Sequence, residues 1–341
     1  MVGVIRLKLV FVGFNSFGLL FRFSSWGESH GKAIGVVLDG VPAGICLNLN
    51  SINESLSRRR PGQSKYMTSR KEPDQFELLS GLVEGVTTGA PLSFLIRNLD
   101  VKSDAYLDFL GVYRPGHADY AWDKKYGIWD PLGGGRASAR ETVARVIAGA
   151  VAKQILPSSV GINSRLVQVG QYMDMQSIQE AVLQAKQKGD SLGGLVEVVA
   201  TGVPVGLGEP VYEKLDARIA YAMMSIPAVK CVEIGSGREC VEMSGSSHND
   251  QMDETGFLSN HSGGVLGGVS TGQPIVVRVS FKPTASIFLP QKTVDKEGNP
   301  VCLKLKGRHD PCVAYRAPVI VESMLAVVLA DFFLIARTRR L

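Results

Sequence analysis

Residues 319–335 are almost continuously apolar, and a helix with no polar face has two possible homes, a lipid bilayer or a protein interior. Glu322 and Asp331 interrupt the run and would be costly in hydrocarbon. The stretch is therefore expected to be a helix buried in a folded core, and no membrane partner is expected. With 45% hydrophobic and 20% charged residues, the chain has the means to build that core. No low-complexity tract, long charge run or 20–50-residue period suggests a solenoid or propeller.

A second helix signal lies in the middle of the chain. Gly133-Gly134-Gly135-Arg136-Ala137-Ser138 leads into Ser138-Ala139-Arg140-Glu141, the spacing of a capping box. Val143, Val146, Ile147, Ala150, Val151 and Ile155 then recur with helical spacing until Pro157, which predicts a helix with one buried face. Further helices are expected over 177–188, over 215–224 and from 319, and strands over 33–38, 194–200 and 275–281. Helices and strands mix without βαβ alternation and no interior linker is visible, so the expected class is a single α+β domain over 15–341. Residues 1–14 carry Arg6 and Lys8 before a short apolar run with no small-residue cleavage site after it, and are expected to be an N-terminal extension.

Five cysteines, an odd number without a C-x-x-C pair, predict free thiols in a reducing, cytoplasmic compartment. All five histidines, His30, His117, His248, His261 and His309, stand in glycine-rich or polar stretches. One such histidine is ordinary, but five beside glycines and acids point to a site built from loops. No H-x-x-x-H, H-E-x-x-H or Cys/His zinc spacing occurs, so no metal site is expected. The absence of G-x-S-x-G argues against a serine hydrolase.

Arginines cluster although the formal net charge is only +5. Arg58-Arg59-Arg60-Pro61-Gly62 is followed by Lys65 and Arg70, and Arg114 and Arg308 stand apart. Guanidinium forks suit phosphate and carboxylate, so a multiply anionic ligand or a solvated charged face fits. Little aromatic interleaving beyond Tyr66 and the low charge argue against nucleic acid. The start of the central helix, flanked by Arg136 and Arg140, reads equally as an anion site or a tight turn. Residues 260–268 lack the G-x-G-x-x-G fingerprint and precede Lys282-Pro283-Thr284-Ala285-Ser286, where a flavin phosphate or a plain strand end fits. By themselves these residues describe an anion-binding, histidine-containing enzyme of open reaction.

Taken in order, segments 27–31, 58–62, 114–120, 133–142, 202–210, 223–227, 260–268, 282–287 and 308–312 resemble chorismate synthase, over roughly 15–334. That resemblance implies a β-α-β sandwich assembled as a homotetramer. It implies reduced FMN as cofactor and a redox-neutral 1,4-anti elimination of phosphate from 5-enolpyruvylshikimate 3-phosphate, giving chorismate. By the same resemblance His30, His117 and Asp310 are catalytic, and Arg59, Arg60, Lys65, Arg114, Arg140 and Arg308 bind substrate. The FMN cradle would comprise Arg136, Ala137, Ser138, Asn249, Gly268, Lys282, Pro283, Thr284, Ala285, Ser286 and Arg308. Trp129, Leu132 and Lys65 stand where relatives often have arginine, and Ala137 and Ala285 where serine is frequent. No added reductase segment is visible, so reduced FMN is expected from an external flavin reductase rather than from the chain's own use of NADPH.

Overall fold

The structure, a computed structural model, describes residues 13–70, 72–100, 106 and 110–339. The expected N-terminal extension therefore lies outside the described residues apart from Gly13 and Phe14.

Strand alternation places one apolar face of each sheet inward. A five-stranded antiparallel sheet runs Ser16–Phe17, Arg22–Trp26, Ala33–Asp39, Leu92–Arg97, Phe76–Ser80. Across its centre Ile34, Val36 and Leu38 pair with Ile96, Phe94 and Leu92, all buried. A four-stranded antiparallel sheet runs Val229–Ile234, Ile275–Phe281, Gly194–Thr201, Gly161–Val169. There Ile275, Val277 and Val279 pair with Ala200, Val198 and Val196, again all buried. The strands expected at 33–38, 194–200 and 275–281 are present.

Helices fill the space between the sheets. Thr142–Ile155 packs on Ala33–Asp39, Pro318–Ala336 packs on Gly161–Val169 and Gly194–Thr201, and the two helices pack on each other. The result is the expected α+β architecture, a sheet-helix-sheet sandwich. Pro318–Ala336 is long and apolar enough to cross a membrane, yet it is mostly buried inside the fold.

Its two carboxylates are also its main anchors. Glu322 binds Arg58 of the helix Leu49–Arg59, Lys153 of Thr142–Ile155, and Ser164 Oγ (2.9 Å). Asp331 accepts the backbone N–H groups of Leu19 and Leu20 at 2.7 Å and of Phe21 at 2.9 Å. Asp331→Ala leaves the buried Phe21 N–H without its acceptor and is expected to cost about 1–3 kcal/mol, read from the shift of a urea unfolding midpoint at unchanged slope. A shift below a few tenths would show that water replaces the carboxylate.

Two local expectations are corrected. Ser138 accepts the N–H of Arg140 (3.3 Å) and caps a short 3₁₀ turn, Ala139–Glu141, so no capping box forms. Glu141, 5% exposed, turns instead to Ser25 Oγ and Arg145 Nε, both at 2.8 Å. The helix that follows buries most of its circumference rather than one face, because a sheet lies on one side and Pro318–Ala336 on the other. Gly149 permits that approach, since a Cβ there would sit 2.3 Å from the Ser323 Cβ.

Candidate active site

The loop joining Arg22–Trp26 to Ala33–Asp39 carries Ser29 and His30. Ser29, fully buried, donates to the Gly133 carbonyl at 3.3 Å, so its oxygen is left to accept the Nδ1–H of His30 at 3.0 Å. In the neutral ring Nε2 then carries the lone pair. Gly133 has φ +64°, and a Cβ there would lie 1.9 Å from His30 Nδ1, so the glycine run lets the imidazole pack directly on backbone. Burial, together with Arg70 and Arg114, lowers the His30 pKa from its usual value, against the pull of Asp130 and Glu72. The His30 ring meets Tyr106 edge-on at 5.0 Å.

His117 stands on the facing loop. Its Nδ1 lies 3.0 Å from the Pro115 carbonyl, which can only accept, so Nδ1 bears the proton and Nε2 accepts the Ser286 hydroxyl at 2.8 Å. Burial, then Arg114, brings its pKa down to about 4. Lys282 Nζ donates to the Gly116 carbonyl at 2.7 Å, and Gly116 lies against Ala285. The segments 115–117 and 282–286 are thus brought together. A histidine whose folded pKa lies below its unfolded value opposes folding once protonated, because between the two values the unfolded chain binds more protons. Stability is therefore expected to fall as pH drops from about 6.5 towards 4, and His117→Gln should flatten that part of a melting-temperature profile; an unaltered profile would show that His117 does not cause it.

Most of the arginines have carboxylate partners. Asp74 takes Arg59 (Nη2 at 2.5 Å, Nε at 3.1 Å) and Arg140, while Glu72 takes Arg70 at 2.7 Å. Asp119 holds Arg114 with two contacts of 2.7 Å, and Asp100 holds Arg308 at 2.8 and 2.9 Å. Asp310 accepts the Thr68 N–H at 2.9 Å and Arg316 at 2.6 Å, so its guanidinium partner is Arg316 and not the nearby Arg308. Some of these pairs are local, Arg70 with Glu72 and Arg114 with Asp119, whereas Asp74 meets Arg140 across 66 positions and Asp100 meets Arg308 across 208. Glu72-Pro73-Asp74 directly after the arginine-rich stretch is the sequence signal that could have pointed to two of them.

Other expected site residues make different contacts. Arg60 bonds Ser57 Oγ at 3.1 Å and lines a surface depression with Asn53 and Phe76. Lys65 is exposed, over the Tyr66 ring. Arg136 turns back onto the Gly27 carbonyl (3.2 Å) and Ser25 Oγ (2.8 Å). Ala137 and Pro283 are exposed, and Ser138 caps its turn. Gly268 is buried beneath Lys214, and Asn249 is exposed after the short helix Gly245–His248. No hydrogen bond joins Asn249 or Gly268 to the His117 loop among the described residues. Nor do the five histidines converge: His30, His117 and His309 all sense Arg114, whereas His248 and His261 face each other at 5.8 Å.

Several buried donors are unpaired among the described residues. Arg70 Nε, Arg140 Nη2, Arg316 Nε, Trp129 Nε1 and Thr284 Oγ1 are buried without a hydrogen-bond partner. Four guanidiniums, of Arg59, Arg70, Arg140 and Arg308, face three carboxylates, of Glu72, Asp74 and Asp100, among the described residues. Buried donors in excess of acceptors suit a polyanion. Among the described residues no group of three or more His, Cys, Asp or Glu could hold a metal ion.

Residues 21–334 match the family model described as chorismate synthase. The chain is 49% identical over 339 residues to a chorismate synthase of Nitrosomonas europaea, covering 93% of this chain and 87% of that protein. It is 50% identical over 351 residues to one of Rhodospirillum rubrum, covering 94% and 96%. A crystal structure of chorismate synthase superposes with a TM-score of 0.74 at 33% identity, covering 94% of this chain and 93% of that one.

Proposed function

The chain belongs to the chorismate synthase family and is a carbon-oxygen lyase acting on phosphates, and from that premise we propose that it converts 5-enolpyruvylshikimate 3-phosphate to chorismate and inorganic phosphate with reduced FMN bound. In this elimination the bond from C3 to the phosphate oxygen breaks, a hydrogen leaves C6, and a second ring double bond forms without net oxidation. The observation that carries the reading is the set of buried, unpartnered donors on Arg70, Arg140, Arg316, Trp129 and Thr284, together with two histidines whose pKa burial lowers. A substrate with one phosphate and two carboxylates supplies the acceptors they lack.

The residues fit the flavin as well. Lys282, Thr284 with its unpartnered buried hydroxyl, and Ser286 beside His117 would hold it against Gly116. When bound, reduced FMN supplies electron density that eases departure of the allylic phosphate. His30 presents Nε2 to the leaving group and can pass it a proton once the anion has arrived, because negative charge nearby favours the imidazolium. Arg114, Arg140 and Arg308 offset the charge that develops on the phosphate. Asp310 accepts one hydrogen bond on each oxygen, from Thr68 and Arg316, which leaves a lone pair on each for a part in proton removal.

We place the enzyme in the cytoplasm as a homotetramer supplied with reduced flavin by a separate reductase; its five free cysteines suit a reducing compartment. The test is an anaerobic assay with photoreduced FMN. Stoichiometric phosphate and chorismate are expected, and no phosphate release under those conditions would overturn the reading.

A further inference from the structure

Glu72 has no role in the reaction described above, yet its carboxylate is fully buried and meets four groups of the site. One oxygen accepts Arg70 Nη2 at 2.7 Å and the N–H of Asp100 at 3.3 Å. The other accepts the N–H of Leu99 at 3.2 Å and lies 3.8 Å from Arg140 Nη2. Asp100, whose backbone Glu72 fixes, grips Arg308 through both of its oxygens. Asn98, two residues earlier, accepts Arg140 Nε at 2.9 Å and donates to the carbonyls of Glu28 and Gly31, on either side of His30. One acid thus ties together the turn 98–100, two guanidiniums directly and a third through Asp100.

The geometry points to Glu72 as a positioning residue, holding Arg70, Arg140 and Arg308 in the orientation that receives the substrate's anionic groups. This rests on the lyase reading for the identity of the substrate, though not for the arrangement itself. The two donors left over, Arg70 Nε and Arg140 Nη2, belong to the arginines nearest Glu72. Glu72 takes only Nη2 of Arg70 and stays 3.8 Å from Nη2 of Arg140, so each guanidinium is held in place while one of its donors is left for a ligand. Its charge also reaches His30, which is faced by Arg70 and Arg114 on one side of the balance and by Asp130 and Glu72 on the other, with Tyr106 against its ring.

Glu72→Gln keeps the shape and one acceptor while removing the charge. Loosened arginines lose orientation in the transition state, whereas the added net positive charge still attracts the anionic substrate. The expected signature is therefore a fall in kcat of about tenfold or more with KM unchanged or lower, a split that a general loss of folded protein does not produce. In the free enzyme the His30 imidazole, followed by NMR, should titrate at lower pH than in the unaltered protein, and Glu72→Asp should recover part of both effects. If Glu72→Gln lowers only the melting temperature, with kcat per folded enzyme and the His30 titration unchanged, Glu72 is a structural acid and the proposal fails. If the unaltered enzyme itself releases no phosphate, the lyase reading fails, and the Nε–H signals of Arg70 and Arg140, followed by NMR and expected to shift or broaden in Glu72→Gln, still decide the positioning role.

Discussion

Asp74→Ala is expected to lower the unfolding free energy by about 3–5 kcal/mol, the cost of removing one partner from a buried ionic cluster. The Asp74 side chain is fully buried and holds Arg59 and Arg140, whose side chains are 2% and 3% exposed. Burial opposes its ionisation, but the two guanidiniums outweigh that and keep its pKa below the usual carboxylate value. Burial likewise brings Arg59 down to about 10 even with Asp74 in place. Without the carboxylate, two guanidiniums would remain in a low-dielectric interior with only Glu72 near Arg140. The backbone at Asp74 is left-handed, φ +50°, a conformation that asparagine shares more readily than alanine. Asp74→Asn therefore separates charge from backbone strain and should keep most of the loss. The carboxylate's contribution is present above about pH 4 and lost below it, because the folded pKa is the lower one. Equilibrium unfolding in urea at neutral pH measures the effect, and a loss under 1 kcal/mol for Asp74→Asn would mean that the cluster is close to neutral.

The frame of this fold was legible because its signals are local. A stretch apolar on every side must be covered on every side, and residues 318–336 are covered by a helix and a sheet. Strand alternation at 275–281 placed Val277 and Val279 inward without reference to any partner. The capping-box pattern at 138–141 failed for the opposite reason: Glu141 finds Ser25 and Arg145 through the tertiary fold, and those contacts outcompete the local one. Arg136 follows the same logic. The left-handed Gly134 and Gly135 turn the chain, and the guanidinium ends on the Gly27 carbonyl instead of facing outward from a helix start. At the site, the glycine-flanked histidines were visible as loop residues, whereas Asp100 was not, because an isolated acid in a loop carries no sign of which arginine it will meet 208 positions away. Pairing across long sequence separations is a property of the fold, and it set the partners of Arg140 and Arg308.

His30→Ala is expected to lower turnover by about 10²–10⁴, the range for a positioned acid-base group, while leaving the fold intact. The packing argument for an intact fold is specific: His30 rests on the Gly133 backbone at a loop surface, half-buried, and Ser29 keeps its bond to the Gly133 carbonyl without it. The chemical argument turns on which nitrogen is available. Ser29 fixes Nδ1 as the donor, so Nε2 is the basic atom, and burial with Arg70 and Arg114 keeps it unprotonated in the free enzyme at neutral pH. A phosphate entering beside it shifts that balance towards the imidazolium, since an anion favours the charged ring as the arginines disfavour it. Protonation would then be coupled to substrate binding, and because an acid must be protonated to act, kcat/KM should fall as pH rises through the free enzyme's His30 pKa, which lies below the ordinary histidine value. His30→Gln retains a hydrogen bond to Ser29 but cannot carry the proton, so it should bind flavin and substrate nearly as well as the unaltered enzyme and still turn over slowly. Anaerobic single-turnover measurements on saturated enzyme distinguish the two roles: a His30→Gln enzyme within threefold of normal turnover would reduce His30 to a packing residue on Gly133.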